Sequence, residues 1–245
     1  MLAEAGSTMD RGREFAADRG VPVPAVVIAE RQTQGRGRRG AGWWQAPGSL
    51  ATSIVLDGPR CGPVAPPSWS LACGIAVAEA IRELAPDVSA VVRWPNDVEV
   101  HGRKLAGILV ETATGGRVVF GIGVNTSGSA ADAPANLRHR VATLPDETGR
   151  PLSRQRLVAA IVLRLRRLLE QMEADPEVLP NRYRPLCGLA GQVVRVYAGD
   201  VVHEGVCRGI GVDGGLELDT AAGRVVIRSG SLTPPGDEWR PETTD

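Results

Sequence analysis

The chain has 245 residues, and its 28 Lys plus Arg balance 28 Asp plus Glu. No net field therefore draws the whole molecule to nucleic acid or to an anionic membrane. No run of about 18 apolar residues offers a membrane span, and the start MLAEAGSTMDRGREF lacks the basic and apolar regions of a secretory signal, so a cytoplasmic protein is expected.

In chain order, residues 10–19 read as a short helix and Ala25–Ala29 as a buried strand. Residues 31–48, rich in Gly, Arg and Gln, read as a loop. A second strand follows over Leu50–Leu56, then a Pro- and Gly-rich connection over 58–67. Ser68 is placed to cap a helix running to Leu84, stopped by Pro86. Three strand-like runs come next, Ala90–Trp94, Val98–His101 and Leu105–Thr112, and the Gly115-Gly116 turn leads into Val118–Val124. Residues 126–150 carry no strong pattern. Ser153 opens the best helix, with Leu157, Ile161, Leu165, Leu168 and Met172 at spacings of three and four; Pro176 and Pro180 are expected to break the chain beyond it. From 189 to 233 the period becomes two, which reads as a small β-barrel. The expected organisation is a mixed α/β domain over 1–187, a small C-terminal barrel over 188–235, and a frayed tail over 236–245.

Cys61, Cys73, Cys187 and Cys207 form no C-x-x-C pair and only His101, His139 and His203 accompany them. A structural zinc site is not expected on that ground, and reduced thiols are.

Four segments carry candidate chemistry. Gly35-Arg36-Gly37-Arg38-Arg39-Gly40 fits G-x-G-x-x-G, but no helix can follow it through Trp43-Trp44-Gln45-Ala46-Pro47-Gly48, so a dinucleotide fingerprint is rejected. Glycines allow close backbone approach, and arginines offer forked donors to phosphate and carboxylate. In Arg93-Trp94-Pro95-Asn96-Asp97, a Trp at a strand end can stack on a base; the alternative is an ordinary turn with a buried Trp. Lys104-Leu105-Ala106-Gly107-Ile108-Leu109-Val110-Glu111 begins a strand with a cation. In Gly121-Ile122-Gly123-Val124-Asn125, two strand glycines suggest a ligand or another backbone close by. Of the 28 basic residues, 27 are Arg and Lys104 is the only Lys. Either a single Lys in so Arg-rich a chain is chance, or its site needs an ammonium rather than a planar guanidinium.

Taken together, Ser7-Thr8-Met9, Gly35 to Trp43, Arg93 to Asp97, Lys104 to Glu111 and Gly121 to Asn125 resemble, in order and spacing, the biotin–protein ligase family. The resemblance covers residues 7–233. It implies an α+β fold, with a class II synthetase-like biotin/lipoate ligase domain of mixed sheet and helices and a small C-terminal SH3-like β-barrel. It also implies an ATP-dependent enzyme that makes biotinyl-5′-AMP and passes the biotinyl group to a lysine of a biotin carboxyl carrier domain, with biotin, ATP and Mg²⁺ required. Only six residues precede Ser7, so a form without the family's DNA-binding domain is expected, with no DNA or membrane partner; a homodimer stays open.

Carried over residue by residue, the resemblance gives Lys104 and Arg38 catalytic roles. Biotin would be lined by Ser7, Thr8, Met9, Gln32, Gly35, Arg36, Gly37, Arg38, Lys104, Gly107, Gly121 and Ile122. ATP would meet Arg38, Trp43, Asn96, Asp97, Lys104 and Asn125, with Asp97 the one candidate to help hold Mg²⁺. Two departures stand out: Met9 where the family usually has Asn, and Arg93 where it usually has Lys. Competing readings are a lipoate or octanoyl ligase-type acyltransferase of the same superfamily, a nucleic-acid-binding module, and a catalytically dead homologue.

Because only an ammonium offers a compact, rotatable point charge, Lys104→Arg is expected to impair adenylation although charge is kept. Pyrophosphate release from biotin and ATP measures it, and a rate near that of the unaltered chain would refute the assignment.

Overall fold

The run Leu50-Ala-Thr-Ser-Ile-Val-Leu-Asp57 is buried along nearly its whole length, which requires cover on both faces. The computed structural model, which describes residues 1–58, 66–113 and 115–233, supplies it. Seven strands form one sheet: β1 (Leu2–Ala5), β2 (Ala25–Gln32), β3 (Leu50–Asp57), β4 (Val91–Arg93), β5 (Asp97–Val100), β6 (Arg103–Thr112) and β7 (Arg117–Val124), in the order β1-β2-β3-β7-β6-β5-β4. β1 is parallel to β2 and every other neighbouring pair is antiparallel. The helices are α1 (Thr8–Ala17), α2 (Pro67–Leu84), α3 (Leu144–Thr148), α4 (Arg154–Ala174) and α5 (Val178–Tyr183). A second, antiparallel sheet follows: β8 (Val193–Ala198), β9 (Val201–Ile210), β10 (Leu216–Thr220), β11 (Gly223–Ile227) and β12 (Ser231–Thr233), ordered β11-β10-β9-β8-β12.

The mixed α+β class and the small C-terminal β unit are therefore as expected. α1 packs on one face of the large sheet, against β3 and β7, while α2 and α4 pack on the other. α1 can lie this close because Gly12 has no side chain: a Cβ there would fall 2.6 Å from Val119 Cγ1. The main core joins Ile54, Leu71, Ile75, Trp94, Phe120, Leu157 and Ile161 to Val196, Cys207, Leu216 and Leu218 of the second sheet, in one continuous cluster. Leu157, Ile161, Leu165 and Leu168 face it from α4, and the Ser153 hydroxyl caps that helix by accepting from the Arg156 N–H at 3.4 Å.

Several expectations need correction. Ser68 does not cap α2; the helix starts at Pro67, whose missing N–H is no loss in a first turn and whose ring presets the helical φ, and Ser68 is buried inside that turn. Pro180 does not break the chain but sits in the first turn of α5, where no N–H bond is forfeited. Residues 126–150 hold α3, capped by the Thr143 hydroxyl and closed by Gly149 at φ 72°. β1 was not expected. Cys73, Cys187 and Cys207 are free thiols; Cys61 and the tail over 236–245 lie outside the described residues. Among the described residues no helix is long and apolar enough to cross a membrane.

One buried cation fastens α1 to the sheet. The Arg117 side chain, 6% exposed, donates to the carbonyls of Phe15 (3.1 Å), Asp18 (2.8 Å) and Val21 (2.8 Å) and to Asp57 Oδ1 (3.3 Å). Those carbonyls are at and just past the C-terminal end of α1, where the helix dipole favours positive charge. Arg117→Ala takes this donor from all three, leaving the Asp18 carbonyl only the Val21 N–H at 3.2 Å, and is expected to cost about 3 kcal/mol. Arg11→Ala, which removes a surface pair with both side chains more than half exposed, should change little. Urea unfolding of the two variants measures the difference.

Candidate active site

The candidate residues fall into two clusters joined by a strip of glycines. In the first, the Ser7 hydroxyl caps α1 by accepting from the Met9 N–H at 3.3 Å. Gln32 Oε1, at the end of β2, accepts from Thr8 N–H at 2.8 Å and from the Thr8 hydroxyl at 3.1 Å. Ser53, on β3, donates to Thr8 Oγ1 at 2.9 Å. These polar groups sit at the N-terminus of α1, which favours electronegative partners. Gln32 is fixed in turn: its N–H donates to Gln45 Oε1 at 3.1 Å. The Arg36 guanidinium meets Asp10 Oδ1 of α1 at 2.6 Å, and Arg13 donates to the same oxygen.

In the second cluster, Lys104 Nζ stands 2.8 Å from Asp97 Oδ1. The contact is ionic rather than a well-directed hydrogen bond. The same Nζ lies 5.5 Å from the Trp43 ring centroid, within cation–π range. Asn96 is pinned by its Nδ2 donating to the Ile108 carbonyl at 2.8 Å, while its Oδ1 accepts from Arg38 Nη1 at 3.3 Å. Burial, with the like charge of Arg39 next, lowers the Arg38 pKa from its ordinary value, against the pull of Asp97; the guanidinium stays charged throughout the physiological range. Beside these groups Arg93 Nη1 lies 3.5 Å from Glu99 Oε1. Burial raises the Glu99 carboxyl and the Arg93 charge opposes that rise.

The strip between the clusters is Gly107 on β6 and Gly121 and Gly123 on β7. Gly107 and Gly123 are register partners, and Gly121 and Gly123 share a face because strand side chains alternate. A Cβ on Gly121 would fall 2.5 Å from Met9 Sδ, and one on Gly123 2.5 Å from Trp43 Cε2. Met9 and Trp43 therefore lie directly on the backbone. Met9 is buried with Ala16, Val55 and Val119.

The Gly35–Gly40 segment folds back on itself. Trp43 N–H donates to the Gly35 carbonyl at 3.0 Å and Gly37 N–H to the Ala41 carbonyl at 2.6 Å. Arg39 (φ 57°) and Gly40 (φ 80°) make the left-handed reversal. No α-helix follows, as the rejection of a dinucleotide fingerprint required.

Three assignments change. Ile122 lies between the two glycines, so its side chain points to the opposite face, into the main core, and does not line the site. Trp94 is 1% exposed, with Nε1 donating to the Gly214 carbonyl at 3.0 Å, so it stacks on no base. Asn125 is buried and spends its Nδ2 on the Ala142 carbonyl at 2.9 Å, leaving only Oδ1 unpartnered. Sequence reasoning missed Ser53 and Asp10. Ser53 could have been flagged as one of two adjacent hydroxyls, with Thr52, inside an otherwise apolar buried run. Asp10 carries no such local signal.

Residues 5–127 match the model of the biotin/lipoate A/B protein ligase family. The chain is 35% identical over 242 residues to the biotin–[acetyl-CoA-carboxylase] ligase of Mycobacterium tuberculosis, covering 95% of this chain and 87% of that protein. It is 33% identical over 239 residues to the protein of the same name from Paracoccus denitrificans, covering 93% and 96%. The solved biotin protein ligase from Aquifex aeolicus in complex with biotin and ATP superposes with a TM-score of 0.82 at 26% identity, over 95% of this chain and 96% of that one.

Gly123→Ala must displace the Trp43 ring, and overpacking of this kind costs about 1–3 kcal/mol. Gly42→Ala, where nothing lies within 4 Å of the new methyl, should be neutral. Urea midpoints and tryptophan emission should change for the first variant and not for the second.

Proposed function

The chain belongs to the biotin/lipoate A/B protein ligase family, and on that premise we propose that it is a biotin–protein ligase. It activates biotin with ATP as biotinyl-5′-AMP and transfers the biotinyl group to a lysine of a biotin carboxyl carrier domain. The observation that supports this best is the placement of Lys104, Asp97, Arg38 and Asn96 beside one glycine strip, with the Thr8–Gln32–Ser53 network at its other end.

In the first step a biotin carboxylate oxygen bonds to the α-phosphorus and pyrophosphate leaves. Two anions must meet, so preorganised cations carry the step. Lys104 and Arg38 provide them. The Lys104 and Asp97 side chains are 35% and 24% exposed, and a phosphate oxygen, an anionic partner of the same kind, can take Asp97's place at the ammonium. Ser7, Thr8, Gln32, Gly35, Arg36 and Gly37 hold biotin, with Met9 packed on Gly121 at the end of its pocket. Trp43, Asn96 and the free Asn125 Oδ1 serve the nucleotide. In the second step the acceptor amine bonds to the acyl carbon, AMP departs, and the nitrogen loses a proton. Arg38 covers the anhydride, which water would hydrolyse if admitted.

Among the described residues no group of three or more metal-ligating side chains exists. Mg²⁺ is commonly held by one or two carboxylates together with substrate phosphates. Asp97 is the carboxylate for it here, and the ion offsets phosphate charge when bound. We assign residues 1–187 to the catalytic unit and 188–235 to the C-terminal unit, and the setting is the cytoplasm.

Incubation with biotin, MgATP and a carrier domain is expected to add one biotinyl group to a single carrier lysine by mass spectrometry, and none without ATP. Transfer of lipoate in preference to biotin, or no transfer, would overturn the reading.

A further inference from the structure

The small C-terminal sheet reaches both sides of the site. On one side, Trp94 Nε1 donates to the Gly214 carbonyl at 3.0 Å. Trp94 begins the turn that carries Asn96 and Asp97. Gly214 is seated firmly: its φ is +80°, and a Cβ there would fall 2.5 Å from the Ser68 nitrogen at the start of α2. On the other side, Arg39 Nη1 donates to Ser231 Oγ at 2.8 Å, across 192 positions of chain. Ser231 opens β12, which pairs with β8 through Ser231 and Tyr197.

Arg39 is placed for this contact by its backbone. At φ 57° it occupies the left-handed region that few side-chain-bearing residues adopt. The reversal it shares with Gly40 sends successive side chains apart. Arg38 turns inward to Asn96, whereas Arg39 turns outward to Ser231. A residue held in that region persists where its surroundings fix it, and Ser231 is the partner that the outward side chain finds.

We propose that Arg39 and Ser231 are positioning residues, through which β12 holds the arginine–glycine loop beside the Asn96–Asp97 turn and so sets how long the adenylate is retained. The C-terminal sheet is thereby part of the frame of the site. The retention role rests on the ligase reading above; the tether itself does not. Neither residue touches a reacting atom, so the contact acts through loop closure, which also places Arg38.

Ser231→Ala tests this with the loop sequence intact, and Ser231→Thr, which keeps the hydroxyl, is the rescue. Tryptic cleavage after Arg36 and Arg38 in the full chain, with no substrate added, reads the tether alone. It is expected to quicken about fivefold in Ser231→Ala, the population change that one solvent-exposed hydrogen bond sets, and to return toward the parent rate in Ser231→Thr. With enzyme preloaded with biotin and ATP, dissociation of biotinyl-AMP is expected to quicken by a similar factor. The thermal midpoint should hold, and single-turnover adenylation at saturating substrate should slow by no more than that factor. Unchanged cleavage in Ser231→Ala, or equal quickening in Ser231→Thr, overturns the tether. Quickened cleavage with unchanged dissociation overturns its role in retention. Failure of the parent chain and of both variants to form adenylate, with cleavage quickened in Ser231→Ala, overturns the ligase reading and the retention role together and leaves the tether standing.

Discussion

The arrangement depends on the absence of side chains at three positions of two adjoining strands. Gly107, Gly121 and Gly123 leave one face of β6 and β7 bare, and Met9 and Trp43 come down onto it. Any Cβ would collide at 2.5 to 2.9 Å, so a methyl group at one of these positions forces a side chain off the floor. The opposite face has no such gap. Ile108, Phe120 and Ile122 are packed into the main core beneath α2 and α4. One face of the same two strands is therefore tightly filled, and rigid for that reason, while the other presents backbone to whatever lies on it. A site that must hold a ligand against backbone gains its stiffness from the far side of the sheet.

The charges around this floor are paired, but unequally. Arg36 has Asp10, Lys104 has Asp97 and Arg93 has Glu99. Arg38 has a neutral amide oxygen as its direct partner, and burial depresses its pKa. A half-desolvated guanidinium with incomplete charge compensation gains more from an incoming phosphate than one already on a carboxylate. The order of strength inside the site thus follows from partners rather than residue type. The Arg93 departure has a local account too, since Glu99 lies within reach of that guanidinium on the neighbouring strand.

How much of this was legible depended on whether the deciding contact is local. The β3 run and the face of α4 are written in residues a few positions apart, and both appear where expected. The floor was legible as well, because two glycines in a strand signal close approach. Strand alternation should also have excluded Ile122, which lies between them, from the site. Other features were settled at a distance. Trp94 reads equally well as a stacking platform or a core residue until Gly214, 120 positions on, claims its N–H. β1 is only four residues long, with no alternation of burial, and is a strand because β2 offers it an edge. Asp10 gains its meaning only when the loop brings Arg36 to it.

The last of these distant effects reaches the site itself. β4, three residues long, is an edge of the large sheet, and an exposed edge invites unwanted pairing. Here the chain between α5 and β8 covers it. Cys187 bridges Val92 in parallel, Gly188 N–H donates to the Val92 carbonyl at 3.0 Å, and the Tyr183 hydroxyl approaches the same carbonyl at 3.4 Å. Gly188 also has little room, since a Cβ there would meet Val91 Cγ2 at 2.9 Å. Two residues beyond Val92, Trp94 is buried and tied to Gly214. The strand that leads into Asn96 and Asp97 is thus held by residues about 90 to 120 positions later in sequence. The turn that presents an amide to Arg38 and a carboxylate to Lys104 is short, and its apolar anchor is Trp94 in the main core, while Asn96 and Asp97 are half-buried. Its geometry comes from the edge cover and from the second sheet, which share the main core. Loosening of the C-terminal sheet would therefore reach the chemistry first through Asn96 and Asp97, before it unfolded β6 and β7.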